Sequence, residues 1–309
     1  MYLDYCLRSI KINHKKLYMN TDNKIKGVIV ELNEQLSSKT ISDFGEQWVN
    51  YRDNPGYYGS VELLADLFGP LLPVDAVRGM RVADIGSGTG RIVNMLLDAE
   101  AAHVFAVEPS AAFSVLQTNT STRSDRMTYV RGRGESLPSG LNLDLVVSMG
   151  VLHHIPEPDP VVDAAFRALR PGGHMLVWLY GREGNELYLR FANPMRAVTK
   201  RMPHMLLVAL CSLINVVLDA YIFCCRFLPL PMRSYMRDVL ARFPRSVRKL
   251  TIYDQLNPAY AKYYSKDEAE SLLIRAGFSS VSAWHRHGYS WSVVGKKPPK
   301  MGSLKGSTQ

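Results

Sequence analysis

Between residues 80 and 181 short apolar runs alternate with stretches of helical periodicity. The runs in MRVADIG, HVFAVEPS, MTYVRG, LDLVVSM and HMLVWLY predict five strands; RIVNMLLDAE, AAFSVLQTNT and VVDAAFRALR predict the helices between them. Such alternation builds βαβ units on a parallel sheet, an α/β fold. Upstream, FGEQW and VELLADLFGPLL read as two helices separated by the turn-rich YRDNPGYYGS. The alternation stops at residue 182, and residues 182–264 are proline-punctuated and helical with no strand pattern. SKDEAESLLIRAGF then predicts an amphipathic helix with Ser265 as N-cap and Gly277 just past its end. VSAWHRH and YSWSVVGK add two strands, for seven in all.

Four segments follow: an extension over residues 1–40, a core over 41–181 and 265–297, a helical insertion over 182–264, and a tail over 298–309 expected to be disordered. Charge sharpens this division. The net charge of the chain is +9, and residues 182–250, with twelve Lys/Arg against four Asp/Glu, carry +8 of it. An anionic partner for that segment alone is one reading, a solvated basic face the other. Within it, MLLVALCSLINVVLDAYIFCCRFL places Ser212, Asn215, Asp219 and Arg226 on one helical face and apolar residues elsewhere. The stretch is long enough to cross a bilayer. A single crossing would put strands six and seven on the wrong side of the membrane, and Asp219 would be costly at its centre. An interfacial helix, a lid over an apolar pocket, a plain core helix and a dimer interface remain open. Flanking Arg196, Lys200, Arg201, Arg233, Arg237, Arg242 and Arg245 suit the interfacial reading, with peripheral membrane contact through residues 196–245.

Cys6, Cys211, Cys224 and Cys225 have no metal-ligand spacing with the eight histidines, so reduced thiols and no metal site are expected. The first twenty residues lack an apolar run of signal-peptide length, and the expected location is the cytoplasm, with the membrane surface as the variant.

The candidate chemistry lies in VADIGSGTGR, where a strand ending in Asp84 turns through Gly86, Ser87, Gly88, Thr89 and Gly90 into a helix. Glycines let the backbone approach a ligand, and the helix start offers free N–H groups. Dinucleotide binders space their glycines G-x-G-x-x-G, whereas Arg91 stands here at the third place. An acid before the loop also suits a cationic ligand better than a pyrophosphate.

With these residues the chain resembles the class I S-adenosylmethionine-dependent methyltransferases, in the broad group of ubiquinone and menaquinone methylases. The resemblance covers roughly residues 41–181 and 265–297. It rests on Asp84-Ile-Gly-Ser-Gly-Thr-Gly90, on Glu108 ending VFAVEPS, on LDLVVSMGVLHHIPEP with Asp144 opening the strand, and on LRPGGHMLVW. It implies a Rossmann-like seven-stranded sheet with S-adenosyl-L-methionine as cofactor. Gly86, Ser87, Gly88 and Gly90 would hold the methionine portion and Glu108 the ribose hydroxyls, with Asp84 also among the cofactor-binding residues. Met149 and Gly150 would border the methionine portion or the reaction centre. Arg133 stands where the family places an acid facing adenine, leaving that contact to Glu135 or to backbone groups at Gly134 and Glu135, with Ser136 beside them on the cofactor. His153 or His154 would act as base if the acceptor is a hydroxyl, or both are structural. An N-terminal helix and loop carrying Trp48, Tyr57 and Tyr58 would close over the cofactor, or these aromatics pack on the sheet.

The expected activity is methyl transfer to oxygen or carbon of a small or lipid-like acceptor held by the insertion. The alternative is a non-catalytic protein of this fold that docks a partner or membrane. Ser148-Met-Gly-Val151 replaces the (N/D/S)-P-P-(Y/F) tetrapeptide of amino-methylating enzymes, Asn257-Pro-Ala-Tyr260 lies outside that context, and no RNA-recognition module is evident, so a nucleic-acid acceptor is disfavoured. Arg286, His287, Tyr289 and Trp291 are expected to pack or face solvent. The oligomeric state is not readable.

Overall fold

The computed structural model describes residues 21–199, 202–256 and 259–299. Contacts divide the chain into residues 1–35 and residues 36–309. The described part of the first unit is the start of helix α1 (Thr21–Asn50), where Val28, Ile29 and Val30 are exposed. The second unit holds all other elements. Most of the extension and nearly all of the tail expected at residues 298–309 lie outside the described residues, as does Cys6.

Seven strands form one sheet: β1 (Arg81–Ile85), β2 (His103–Val107), β3 (Met127–Val130), β4 (Leu143–Met149), β5 (Leu169–Tyr180), β6 (Ser279–Arg286) and β7 (Ser290–Lys296). Their order is β3-β2-β1-β4-β5-β7-β6. The first five run parallel, and β7 inserts antiparallel between β5 and β6. The sequence pattern foresaw every one of these strands. Because strand side chains alternate, each face of the sheet builds its own core. Val82, Val104, Leu145 and Leu176 pack with helices α2 (Val61–Phe68) and α3 (Arg91–Asp98). Ala83, Phe105, Val146 and Val177 pack on the other face with α5 (Asp159–Ala168) and α10 (Lys266–Arg275). A short α4 (Phe113–Asn119) follows β2.

Local chemistry sets the boundaries. Ser265 accepts from the Glu268 N–H while the Glu268 carboxylate accepts from the Ser265 N–H, a reciprocal cap that starts α10. Helix α5 stops at Ala168, and Leu169 already pairs with Leu143 of β4, so the expected helix VVDAAFRALR is two residues too long. Pro171 explains the difference, since it drives Arg170 out of the helical region.

The insertion is helical, as expected: α6 (Glu186–Thr199), α7 (His204–Cys224), α8 (Arg233–Asp238) and α9 (Arg245–Leu256). It leaves and re-enters the core at one point, where Gly181 bridges Tyr264 and Tyr264 N donates to Tyr180 O at 2.8 Å. Its base thus sits at the carboxyl end of β5. Cys211 and Cys225 are buried free thiols and Cys224 is a half-buried one.

The polar face of α7 turns inward: Asn215 is buried and donates to Arg245 O, while Asp219 pairs with Arg245 and Arg248 of α9. A carboxylate next to two guanidinium groups gains more inside than in water, so α7 turns this face to α9. Arg226 does not share it; it lies past the helix end and is exposed. The basic flank is also largely turned on the protein. Arg196 is buried, Arg242 pairs with Glu62, Arg237 with Asp238, and Arg233 donates to Cys225 O. Lys200 and Arg201 fall outside the described residues.

Candidate active site

The order of the sheet reverses between β1 and β4, and in open α/β sheets such a switch point leaves a crevice at the carboxyl ends of the strands. β1 delivers Asp84 to it, followed by the glycine turn. Gly86, Gly88 and Gly90 all have positive φ, at 79°, 52° and 82°. A Cβ on Gly86 would come within 2.5 Å of Val151, so the turn passes where only glycine fits. Gly86 N and Ser87 N donate to Val107 O, locking the turn to β2.

Glu108, buried at the end of β2, accepts from Gly88 N at 2.8 Å and from Ser110 N at 2.9 Å. Each carboxylate oxygen keeps a second lone pair, the capacity two ribose hydroxyls require. Asp84 is buried, and neither of its carboxylate oxygens has a hydrogen-bond partner. Burial raises its pKa to about 7, against the pull of the Arg91 charge; the Ser87 hydroxyl donates to the Asp84 backbone carbonyl instead. A buried acid without a partner beside a glycine turn is a receptor for a cation or a strong donor. The two acids and the turn therefore fit the amino and ribose groups of S-adenosylmethionine.

The adenine side is less complete. Glu135 and Ser136 are exposed on a short turn after β3, while Arg133 reaches Ser38 of α1. Met149 and Gly150 lie where β4 ends, Met149 buried and Gly150 at φ 83°.

The segment before the core straps the crevice. Thr89 donates to the Asn54 side chain, Asn119 donates to Arg52 O and Thr89 O, and Arg91 lies over the Tyr58 ring. In α1, Gly45 packs so closely on Ser110 that an added Cβ would sit 3.0 Å from it. That approach brings Trp48 beside Gly88 and sets Phe44 edge-on to His154, with ring centroids 4.8 Å apart. Trp48 thus borders the glycine turn, whereas Tyr57 and Tyr58 pack on Phe243 of the insertion.

His153 and His154 follow β4 and are buried. His153 stacks on Tyr180 at 3.8 Å, and neither ring nitrogen has a partner. His154 Nδ1 lies 2.7 Å from Tyr260 O, so this nitrogen carries the proton and Nε2 is left as an acceptor. Burial drives both pKa values down, that of His154 to about 4, so both rings are neutral at pH 7.

The insertion packs further polar and aromatic side chains next to the histidines. Tyr263 faces Tyr180, and Arg196 donates to Tyr263 Oη and Gln255 O, each at 2.7 Å. Asp254 of α9 lies beside Gln47 of α1; its Oδ1 is shielded without a hydrogen-bond partner, and burial raises its pKa to about 8. Gln47, Tyr180, Asp254 and Tyr263 were not singled out from the sequence, and Arg196 was read there only as part of the basic flank. The tyrosines at 260, 263 and 264, just before the last helix, were the available signal. Among the described residues no cluster of three potential metal ligands occurs.

Comparison with known proteins agrees with this geometry. Residues 83–177 match the family model described as a methyltransferase domain. This segment is a class I methyltransferase domain, whose cofactor is S-adenosylmethionine. An uncharacterized methyltransferase of Mycobacteroides abscessus is 30% identical over 163 residues, 48% of this chain and 62% of that protein. A tRNA U34 carboxymethyltransferase of Idiomarina loihiensis is 28% identical over 118 residues, 37% of this chain and 36% of that protein. A demethylmenaquinone methyltransferase of Clavibacter sepedonicus is 28% identical over 129 residues, 39% of this chain and 52% of that protein. The chain therefore spans between about a third and under two thirds of these relatives' lengths.

Proposed function

We propose that the whole chain is a methyltransferase acting on oxygen or carbon of a small or lipid-like acceptor, which binds between the glycine turn and the insertion. The observation that carries the reading is the buried, unpartnered Asp84 carboxylate on the same turn that Glu108 anchors. A non-catalytic docking protein has no use for an acid kept at such cost.

S-adenosylmethionine supplies a methyl group on a sulfonium, whose displacement needs alignment above all. Asp84 holds the amino group and Glu108 the ribose. Phe44 and Tyr180 set their rings against His154, and Trp48 stacks on Phe44. His154, neutral and held by Tyr260 O, offers Nε2 to the proton of an acceptor hydroxyl. Asp254 and Gln47 give the acceptor a second polar contact. One relative's name specifies demethylmenaquinone, which favours a quinone-like acceptor; another's specifies tRNA.

Calorimetric titration with S-adenosylmethionine, S-adenosylhomocysteine and NAD tests the reading. Binding of both adenosyl ligands at micromolar levels and none of NAD is expected. No adenosyl binding would leave the non-catalytic alternative.

A further inference from the structure

Helix α7 is amphipathic the wrong way round for a protein in water. Its polar residues, Asn215 and Asp219, face α9, and its outer face is apolar throughout: Leu206, Leu213, Val216, Val217 and Phe223 are exposed. The stripe continues past the helix in Phe227, which is 71% exposed, and starts at Met205, which is 81% exposed. Helix α6 carries a second apolar stripe, Leu187, Phe191, Met195 and Val198, also exposed. Isolated exposed apolar residues are ordinary, but two such stripes on successive helices are not, although Glu186, Arg190 and Asn193 are exposed elsewhere on α6.

From this we infer that the outer faces of α6 and α7 lie in the surface of a bilayer containing anionic lipid, with both helices in the membrane plane. Three observations select this occupant. A protein interface mixes apolar contact with hydrogen-bonding residues, and neither stripe offers any. The surroundings are basic: Arg190 and Arg226 are exposed with no ion pair among the described residues. The acids Asp219, Asp238 and Glu183 are engaged by Arg245 and Arg248, by Arg237, and by Trp291 and the Lys266 N–H, so they oppose an anionic surface little. Glu186, at the start of α6, is the exposed acid nearby and stands one turn before Arg190. Apolar side chains towards the acyl boundary with cations at their edge are what an interfacial helix needs. A crossing is ruled out by connectivity, since β5 before the insertion pairs with β7 after it. The inference stands whatever the methyl acceptor is.

Flotation of the full chain with phosphatidylcholine vesicles, with and without phosphatidylglycerol, tests it. The protein should float with the anionic vesicles and less with the neutral ones. A triple variant Leu213→Gln, Val217→Gln, Phe223→Gln should bind about tenfold more weakly or worse. Its S-adenosylhomocysteine affinity, measured by calorimetry, should be unchanged, because these side chains are exposed and away from the glycine turn. Arg190→Gln with Arg226→Gln should weaken only the anionic contribution and its salt dependence. The inference is overturned if the intact protein stays unbound with both vesicles, or if the triple variant, folded by calorimetry, floats as well as the parent. A dimer in sedimentation that the triple variant dissociates, without vesicle binding, would assign the face to a second copy instead.

Discussion

Asp84 holds a proton at a pH where an exposed aspartate has long lost it, because burial raises its pKa to about 7. An amino cation bound beside it favours the ionised form, so binding at lower pH must expel that proton. Affinity for S-adenosylmethionine should therefore rise by up to about tenfold between about pH 6 and pH 7, while the ligand's amino group stays charged. Calorimetry at pH 6 in two buffers of different ionisation enthalpy should show close to one proton released, and Asp84→Asn should remove the pH slope. An unchanged slope in that variant would separate Asp84 from the ligand. The residues of this half of the site were legible because a glycine turn after a strand is a local pattern. Asp254 was not. Nothing within ten residues of it marks a buried acid, and it becomes one only when α9 is laid against Gln47 of α1.

At the scale of elements, the strands were readable because buried parallel strands are short unbroken apolar runs. The orientation of α7 was not. Periodicity separates a polar from an apolar face, but which one turns inward depends on what α9 offers, here Arg245 and Arg248. Arg286 was missed for a similar reason. Expected to pack or face solvent, it is fully buried on β6, bound to Asp66 of α2 and to the Tyr289 hydroxyl. Asp66 also takes a hydrogen bond from His287. Burial alone would raise the Asp66 pKa; the His287 hydrogen bond and the Arg286 charge outweigh it and lower it. This pair fastens the edge of the sheet to the helix beneath. Asp66→Ala leaves a buried guanidinium uncompensated and should cost about 3–5 kcal/mol in urea unfolding. Adding Arg286→Met should recover most of the loss; if the double variant is no better than the single, the charge is not what was stranded.

For the molecule as a whole, the buried titratable groups set an unusual dependence of stability on pH. Burial lowers the pKa of both His153 and His154 when folded, so their contribution is present above their unfolded value near 6.5 and fades as pH falls below it, for His154 until about 4. Asp84 and Asp254 are raised, to about 7 and about 8, so they stabilise the folded chain in acid and lose that contribution as pH rises through those values. Between about pH 5 and pH 6 the two pairs take up protons in opposite states and nearly cancel. Thermal melting of the ligand-free protein should be nearly flat there and fall between about pH 6.5 and pH 8, and S-adenosylhomocysteine should blunt the fall. A melting temperature that rises across that upper range would contradict the buried state of both acids. The long separation between β5 and its neighbour β7 has a different consequence, for synthesis. The ribosome completes β5 more than a hundred residues before Ser290 arrives to pair with Tyr180. At about 5–20 residues per second the edge of β5 stays open for several seconds or more. During that time the apolar helices of the insertion emerge next to an unpaired strand. The nascent chain is then most vulnerable to wrong partners, and a chaperone or a membrane surface that occupies α6 and α7 early would guard the edge until translation supplies β7.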